Sequence, residues 1–596
     1  MSSAVSFGAG KLSDITESAE YPGKRLQVQV VEVAENTLAI RCLDWDRDRF
    51  DIEFALQEGT TYNSYLIFGE EKTCLVDASH EKFRGAYLPA LQAEVVARGR
   101  AGIDYLVCSH TEPDHSGLVA DVTELFPSGP QTTVVGSKVC LQFLAGLNPG
   151  KELTTMEVKG GSVVDLGGGH ELEFTVAPNL HWPDTMFSYD RKTGVMYTCD
   201  AFGSHLCTEA PFDVGLHQLL PHYRFYYDCL MKPNARSVLT ALRKIKSAGW
   251  EPTTVANGHG PMLHYNLTEL MDKYKSWSEE AGSATASVCV LYAAEYGHGD
   301  RLSQTLARGI TKAGCAVEMA DVLSVDPQEL VAMVSRSGAV VMMAPPASSK
   351  EARNTMAVLL SCIKSKQKAI IAESFGGEDE PVDTMAAQFT NVGVELAAKP
   401  LRVKATPDAA MYQLYEETGT DLAQQLTSKE AIAAKKAAMS ADVAKALARV
   451  SGGLYVVTAS NGSARSAMIA SWVSQASFEP PGLTVAVAHD RAIESLMQVG
   501  DSFVLNCLGD KSVQPIMKHF LTRFPAGADR FKGVDHFEGS NGVPVLSDAV
   551  AHMECRVVSR MEASDHWVVY AEVTAGGVAD PDAQTSVHRR KVATYY

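Results

Sequence analysis

The chain of 596 residues lacks several features that would assign its class at once. None of its twelve cysteines forms a C-x-x-C pair, which excludes a rubredoxin-like centre and most iron–sulfur electron carriers. Most of them lie in apolar runs and are expected to be reduced core residues in a reducing compartment, for example Cys74, Cys108, Cys289 and Cys507. No apolar run reaches about 18 residues, so no transmembrane segment is expected.

Basic charge is also scarce. The chain has 53 Lys and Arg against 71 Asp and Glu, a formal net charge of −18. Such a chain would be repelled by nucleic acid and by anionic membranes, so we expect neither as a partner. The length exceeds what one core supports and predicts about three or four domains.

What the chain does have is a group of metal-ligating side chains at 110–115. The apolar run Ile103–Val107 predicts a buried strand, and the sequence H-x-E-x-D-H follows it directly. Its four ligand-type residues alternate around Pro113, so one motif can serve two metal ions. A chance match in a solvated loop is the competing interpretation of this motif alone.

Three more ligand-type residues each follow a predicted strand. They are His181, Asp200 and His259, after strands at 172–176, 194–199 and 253–258. Four strand ends that all carry His, Asp or Glu are hard to explain as chance. Four imidazoles and three carboxylates, with no thiolate, suit iron better than a sulfur-based zinc site.

Four motifs together resemble the flavodiiron proteins: H-x-E-x-D-H at 110–115, L-H-W-P-D-T-M-F at 180–187, D-A-F-G at 200–203 and N-G-H-G at 257–260. The resemblance implies a metallo-β-lactamase domain over residues 1–275, an αββα sandwich. Hydrolases of that fold normally have His in the place of Glu112, and the carboxylate marks the redox branch. The resemblance also implies that one iron is bound by His110, Glu112 and His181, the other by Asp114, His115 and His259, with Asp200 as the bridge.

A second domain is predicted over residues 286–427, after a polar linker at Ser276–Ser283. Strands at 286–292, 338–343 and 368–372, each followed by a loop, predict a flavodoxin-like doubly wound sheet, and loop backbone N–H groups can bind the phosphate of FMN. The first loop has no Ser or Thr, so we expect weaker FMN binding than in ordinary flavodoxins. The candidate FMN contacts are Tyr296, Gly297, His298, Gly299, Pro345, Ala347, Ser348, Ser374, Phe375, Gly376 and Gly377.

The Ala- and Lys-rich stretch Ser428–Ala438 predicts a solvated linking helix before a third, β-rich domain over residues 440–596. This domain is similar to the flavin reductases, split β-barrels that hold FMN or FAD and accept hydride from a nicotinamide. The resemblance implies flavin contacts at Ser471, Ser474, Ser477 and Asn506, and a family D-H pair at Asp565 and His566.

Full reduction of O2 takes four electrons, so a hydride acceptor and a one-electron centre are needed in series. The resemblance therefore implies an oxygen reductase that passes electrons from NAD(P)H or reduced ferredoxin through flavin to two irons, forms water and protects photosynthetic electron transport. It further implies a homodimer, or a heterodimer with a paralogue, in the chloroplast stroma or the cytoplasm of an oxygenic phototroph. The alternatives are a nitric oxide reductase of the same family, a zinc hydrolase and a non-catalytic partner subunit.

Overall fold

The computed structural model describes residues 10–18, 21–50, 54–284, 286–293, 298–345, 347–374, 380–437, 439–510 and 513–591. The candidate FMN contacts Tyr296, Gly297, Phe375, Gly376 and Gly377 lie outside these residues. Within them, no helix is both long and apolar enough to cross a membrane. All twelve cysteines are free and most are buried, as expected.

The first unit contains two sheets. Its strands are β1 Lys11–Leu12, β2 Thr16–Ser18, β3 Tyr21–Ala34, β4 Thr37–Asp44, β5 Arg49–Phe50, β6 Phe54–Ala55, β7 Thr60–Phe68, β8 Thr73–Val76, β9 Tyr105–Val107, β10 Thr133–Gly136, β11 Thr155–Glu157, β12 Val163–Asp165, β13 Glu171–Val176, β14 Met186–Asp190, β15 Val195–Cys199 and β16 Thr254–Asn257. The larger sheet has the order β1-β3-β4-β7-β8-β9-β10-β11 with β2 beside β3, and the smaller has the order β12-β13-β14-β15-β16. Strands β5 and β6 form a separate ribbon.

Helices cover the outer faces of both sheets. They are α1 Arg84–Ala97, α2 Pro113–Ser116, α3 Val119–Glu124, α4 Lys138–Leu147, α5 Leu216–Tyr226, α6 Ala235–Ser247 and α7 Leu267–Gly282. One apolar cluster lies between the sheets and includes Val33 and Phe174, while two others lie between a sheet and its helices. The layers are therefore helix, sheet, sheet, helix, which confirms the predicted αββα sandwich.

The predicted linker at Ser276–Ser283 is wrong. Helix α7 continues to Gly282. Its polar side chains suggest a linker, but the Ser278 hydroxyl is fully buried and lies 2.9 Å from the Tyr227 hydroxyl, and Trp277 packs against the same core. The connection to the next sheet is therefore only a few residues long.

The second unit is a parallel sheet with helices on both faces. Its strands are β17 Ser287–Tyr292, β18 Ala316–Asp321, β19 Ala339–Ala344, β20 Lys368–Glu373 and β21 Glu395–Leu396, and its helices are α8 His298–Lys312, α9 Pro327–Arg336, α10 Lys350–Cys362, α11 Val382–Asn391 and α12 Ala409–Ala437. The strand order β18-β17-β19-β20-β21 is that of flavodoxins. The predicted linking helix at 428–438 is the end of α12, whose earlier turns pack on α8.

The third unit is antiparallel. Its helices are α13 Ala441–Leu447 and α14 Val513–Phe520, and its strands are β22 Gly452–Gly453, β23 Tyr455–Asn461, β24 Ala464–Ala470, β25 Val473–Phe478, β26 Pro481–Ala488, β27 Ser502–Cys507, β28 His536–Glu538, β29 Pro544–Leu546, β30 Ala551–Ala563, β31 His566–Val578 and β32 Val587–His588. The main sheet has the order β24-β23-β27-β30-β31-β26-β25. Its two edge strands are consecutive in the chain and one apolar cluster fills the interior, as in a split barrel.

Candidate metal centre and flavin cavities

Strand β9 and helix α2 position the first four candidate ligands. His110 and Glu112 lie in the short connection after β9, and Pro113 begins α2, which carries Asp114 and His115. Proline suits this first helical position because its fixed φ is helical and no backbone donor is lost. The tight turn therefore directs two side chains before Pro113 and two after it into the same buried space.

The other three candidate ligands come from the second sheet. His181 lies in the loop between β13 and β14, Asp200 follows β15 directly, and His259 comes two residues after β16. All seven residues are at most 6% exposed. The structure thus brings together all the ligand-type residues that the sequence singled out.

Asp200 lies at the centre of the cluster. One carboxylate oxygen, Oδ1, is 2.9 Å from His115 Nε2 and 3.3 Å from His259 Nε2. The other, Oδ2, is 3.0 Å from His181 Nε2 and 3.8 Å from His110 Nε2. Each oxygen therefore faces a different pair of imidazoles, the arrangement that a bridging carboxylate requires.

Each half of the cluster also contains a second carboxylate. Glu112 Oε2 is 2.9 Å from His181 Nε2 and 3.5 Å from His110 Nε2. On the other side, Asp114 Oδ2 is 3.3 Å from His259 Nε2, and Asp114 Oδ1 is 3.5 Å from His115 Nε2. The two halves are thus alike, with two imidazoles, one carboxylate and a share of Asp200 each.

Buried hydrogen bonds hold the ligand loops in place. The Ser109 amide donates to Asp77 at 2.7 Å, and the amide and hydroxyl of Thr111 both donate to Asp184, at 2.9 and 2.8 Å. His259 Nδ1 lies 2.7 Å from the carbonyl of Thr61, which leaves its Nε2 for the cluster. The residue at position 258 must also be glycine, since a Cβ there would lie 2.6 Å from His115 Cε1.

Burial and opposite charges compete in setting the protonation of the cluster. Burial lowers the pKa of His115, but Asp114 and Asp200 raise it to about 10 overall. Burial raises the pKa of Glu112, yet the imidazole of His181 holds it well below its usual value. Glu112 and Asp200, whose pKa values are both lowered, are thus kept anionic by neighbouring positive charge, a role that metal cations fill.

The residues fit a two-metal site. Both ring nitrogens of His110 and both oxygens of Asp114 are buried and make no hydrogen bond. Four subsets of the cluster have ligand atoms within 4.8 Å of one another, close enough to share ions. Imidazole and carboxylate donors together are those that iron accepts.

One potential ligand was missed by sequence reasoning. The buried Cys199 belongs to a subset with His110, His115 and Asp200. Burial and the neighbouring carboxylates raise its pKa well above the usual value, so the thiol stays protonated and is a poor ligand. A signal for it was present, since Cys199 directly precedes Asp200 in the chain.

A cavity of about 420 Å³ lies beside the metal centre, between all three units. It is lined by Leu56, Phe225 and His205 from the first unit. The His205 ring is 5.1 Å from that of the candidate ligand His259 and 4.8 Å from the ring of Tyr226. A small molecule in this cavity is therefore one side chain away from the cluster.

In the second unit, the described candidate FMN contacts follow the carboxyl ends of β17, β19 and β20, the sheet edge where such folds bind ligands. His298 and Gly299 begin α8. Pro345 is buried and Ala347 and Ser348 are exposed. The buried Ser374 hydroxyl contacts the Ala344 carbonyl at 3.3 Å and Glu380 Oε1 at 3.2 Å.

The candidate flavin contacts of the third unit do not converge. Ser471 alone of the four lines a cavity of about 510 Å³ between the barrel and α12. Ser474 is exposed, and the Ser477 hydroxyl contacts the Pro480 carbonyl at 2.7 Å. Asn506 is fully buried and its amide is engaged on both sides, donating to the Val456 carbonyl and accepting from the Leu546 amide. Of the predicted D-H pair, His566 lies 5.0 Å, ring to ring, from Trp472 at the same cavity.

Comparison with known proteins gives matches along the whole chain. Residues 447–595 match the model of the Flavin reductase like domain, and residues 60–260 match that of the ODP family beta lactamase. Diflavin flavoprotein A 1 of Synechocystis sp. is 53% identical over 96% of this chain and 99% of its own length. A diflavin flavoprotein A 3 of Nostoc sp. is 51% identical over 98% of this chain and 100% of its own.

A solved structure agrees with these matches. The metal-soaked Flv1 flavodiiron core from Synechocystis sp. PCC6803 superposes with a TM-score of 0.59 at 30% identity, covering 67% of this chain and 99% of that one. The part of this chain that it covers corresponds in extent to the first two units, and the flavin reductase match accounts for the third. The chain therefore belongs to the diflavin flavoproteins, flavodiiron proteins that carry FMN, a diiron site and a flavin-binding reductase domain.

Proposed function

We propose that the chain is an oxygen reductase, which passes electrons from NAD(P)H or reduced ferredoxin through flavin to two irons and converts O2 to water. The observation that carries the proposal is the complete buried cluster of seven ligands divided evenly around Asp200. Its role would be to consume O2 and so protect photosynthetic electron transport in the cytoplasm of an oxygenic phototroph. The relatives come from cyanobacteria, which does not support a location in the chloroplast stroma.

His110, Glu112 and His181 would hold one iron, Asp114, His115 and His259 the other, and Asp200 would bridge them. When bound, the irons supply single electrons and Lewis acidity to O2. The protein encloses this chemistry, since even the most exposed of the seven residues are only 6% exposed. Enclosure excludes bulk water from the site and prevents the escape of partly reduced oxygen species.

Tyr226 is placed to hold a proton close to the cluster. Its hydroxyl is buried without a hydrogen-bond partner, and its ring is 6.0 Å from that of His259. Burial and the charge of Asp200 raise its pKa well above the usual value, so the phenol stays protonated. It can therefore donate a hydrogen bond to a substrate oxygen in the cluster.

The alternatives differ in how they fit. A zinc hydrolase would not need the two flavin-type units. A non-catalytic partner subunit would not need a complete set of seven metal ligands. Nitric oxide is a second diatomic molecule that the same cluster could take, and no described residue separates it from O2. Electron transfer needs short distances between centres, so we propose a homodimer, or a heterodimer with a paralogue, that brings a flavin of one chain near the irons of the other.

The test is O2 consumption by the purified chain loaded with iron and flavin, with NADPH, NADH and reduced ferredoxin compared under matched conditions. We expect turnover with at least one donor, with hydrogen peroxide only a minor product. Nitric oxide is offered in a parallel anaerobic assay to rank the two substrates. A fully loaded chain that consumed no O2 with any donor would contradict the proposal.

A further inference from the structure

Helix α12 is shared by two units of the molecule. Its earlier turns pack on α8 of the flavodoxin-like unit, where two glycines permit close approach: a Cβ at Gly309 would lie 2.0 Å from the Glu416 carbonyl oxygen, and one at Gly419 would lie 2.1 Å from that of Leu306. Its later turns face the barrel of the third unit. One rigid element therefore connects the two flavin-type units.

The cavity of about 510 Å³ lies between α12 and the barrel. On the barrel side it is lined by Ser471 and Trp472, which join β24 to β25, and by Met517 and Phe520 of α14. The rest of the lining adds polar and charged side chains, among them Arg491, Arg523 and Arg530, and the volume lies in the range typical of cofactor sites. The cavity therefore fits a flat aromatic cofactor such as a flavin.

The opposite wall is α12, fastened to the third unit on both sides of the cavity. On one side, Glu417 forms an ion pair with Arg530 at 3.1 Å, with side chains 7% and 11% exposed, and accepts from the Gly527 amide. On the other side, Gln424 Nε2 donates to Asp490 Oδ2 at 3.1 Å. Asp421 and Ser428 lie on the same face of the helix and also line the cavity.

We propose that α12 of the flavodoxin-like unit forms one wall of the flavin site of the third unit, so that this site is complete only when the two units are docked. The inference rests on the proposed function insofar as the cavity's ligand is a flavin. The barrel alone contributes Ser471 and the aromatic wall. The face of α12 that carries Asp421, Gln424 and Ser428 closes the site.

The test fills the cavity from the α12 side in the full-length chain. Asp421→Trp and Ser428→Trp each place an indole in the cavity, and Ser428 is exposed, so its replacement disturbs no core packing. Ala433→Trp is the matched control, since Ala433 is an exposed residue further along the same helix and outside the cavity.

The measurement is titration of flavin-depleted chain with FMN, followed by flavin fluorescence, which gives the number of sites and the dissociation constant of each. Wild type and Ala433→Trp should bind two flavins. Asp421→Trp and Ser428→Trp should keep one site unchanged and weaken the other at least about tenfold.

Two failures are distinguishable. If wild type binds two flavins and both cavity-filling variants do so with unchanged constants, α12 is not part of the site, and the inference is wrong while the proposed function stands. If wild type binds only one flavin and both cavity-filling variants leave that site unchanged, the third unit holds none, and both the inference and the proposed electron route are overturned.

Discussion

The metal centre and the flavin cavity of the third unit differ in how their residues reach the site. The seven candidate ligands come from four separate places in the chain and all converge, buried, around Asp200. Of four candidate flavin contacts, only Ser471 lines the cavity. Few side-chain types can ligate iron, so their residue types identify them, whereas a flavin is held largely by shape and backbone, which many residue types supply.

The largest effect is expected for Asp200→Ala, at the centre of the metal site. Removal of the only group that faces both halves should leave two cations without a bridge, and iron should fall from about two to below about one per chain. Metal analysis of the purified variant measures this. Asp165→Ala, which removes an exposed carboxylate of the same unit, is the control and should keep wild-type iron. Retention of two irons by Asp200→Ala would refute the ligand assignment.

Removal of the third unit tests whether its flavin site accepts hydride from NAD(P)H. Deletion from about residue 440 onward should abolish NAD(P)H-driven O2 consumption, because the hydride acceptor is lost. The remaining chain corresponds in extent to the solved Flv1 core, and it should still consume O2 when an artificial donor or ferredoxin supplies electrons. Both rates are measured with an oxygen electrode. If the truncated chain oxidised NADPH at the full rate, hydride would enter elsewhere.

Periodicity in the sequence predicted individual strands and the flavodoxin-like sheet, whereas the αββα sandwich and the split barrel were implied by the resemblance to known families. The strand before the H-x-E-x-D-H motif and the strands predicted at 286–292, 338–343 and 368–372 all occur within one or two residues of the predicted bounds. The linker at Ser276–Ser283 was wrong because polar composition does not show that Ser278 and Trp277 face a core. Only tertiary contacts decide which side of such a helix is buried.

The metal centre and the cavity of the third unit could be predicted from the sequence to different extents. Local sequence was sufficient to single out the candidate metal ligands that the structure brings together, since each follows a strand that the apolar pattern reveals. The wall of the third-unit cavity could not be found this way, because Gln424 and Asp490 are 66 residues apart and belong to different units. Nor does the spacing of residues in the sequence show that the side-chain amide of Asn506 forms its hydrogen bonds with the backbone of the barrel.

A smaller effect is expected at the buried charge cluster that joins the second and third units, formed by Arg308, Lys312, Glu416, Glu494 and Arg560. Glu416→Gln removes one of the two negative charges that pair with the buried Lys312, and it should lower the free energy of unfolding by about 3–5 kcal/mol. That corresponds to a fall in melting temperature of roughly 6–20 °C in calorimetry. The exposed pair of Asp421 and Arg523 is the control, and Asp421→Asn should cost at most about 1 kcal/mol.

The charge cluster also predicts a pH dependence. Burial raises the pKa of Glu416, but Lys312 and Arg308 lower it to about 2 overall, from 4.5. Because the folded-state pKa is depressed, its contribution is present above pH 4.5 and is lost as the pH falls towards 2. The difference in melting temperature between wild type and Glu416→Gln should therefore shrink below pH 4.5. A difference independent of pH would show that packing, not charge, is what the variant removes.

The smallest effect should distinguish Ser471 from Ser474 within the third unit. Ser471 lines the cavity, so Ser471→Ala removes a hydroxyl within reach of a bound flavin and should weaken binding by about 2–10-fold, the worth of one ordinary hydrogen bond. Ser474 is exposed on β25 outside the lining, with its hydroxyl 3.2 Å from the Gln475 carbonyl, and Ser474→Ala should change the constant by less than about twofold. FMN titration of both full-length variants measures the difference. If Ser474→Ala had the larger effect, the flavin would lie along β25 rather than between the barrel and α12, and the cavity would have another ligand.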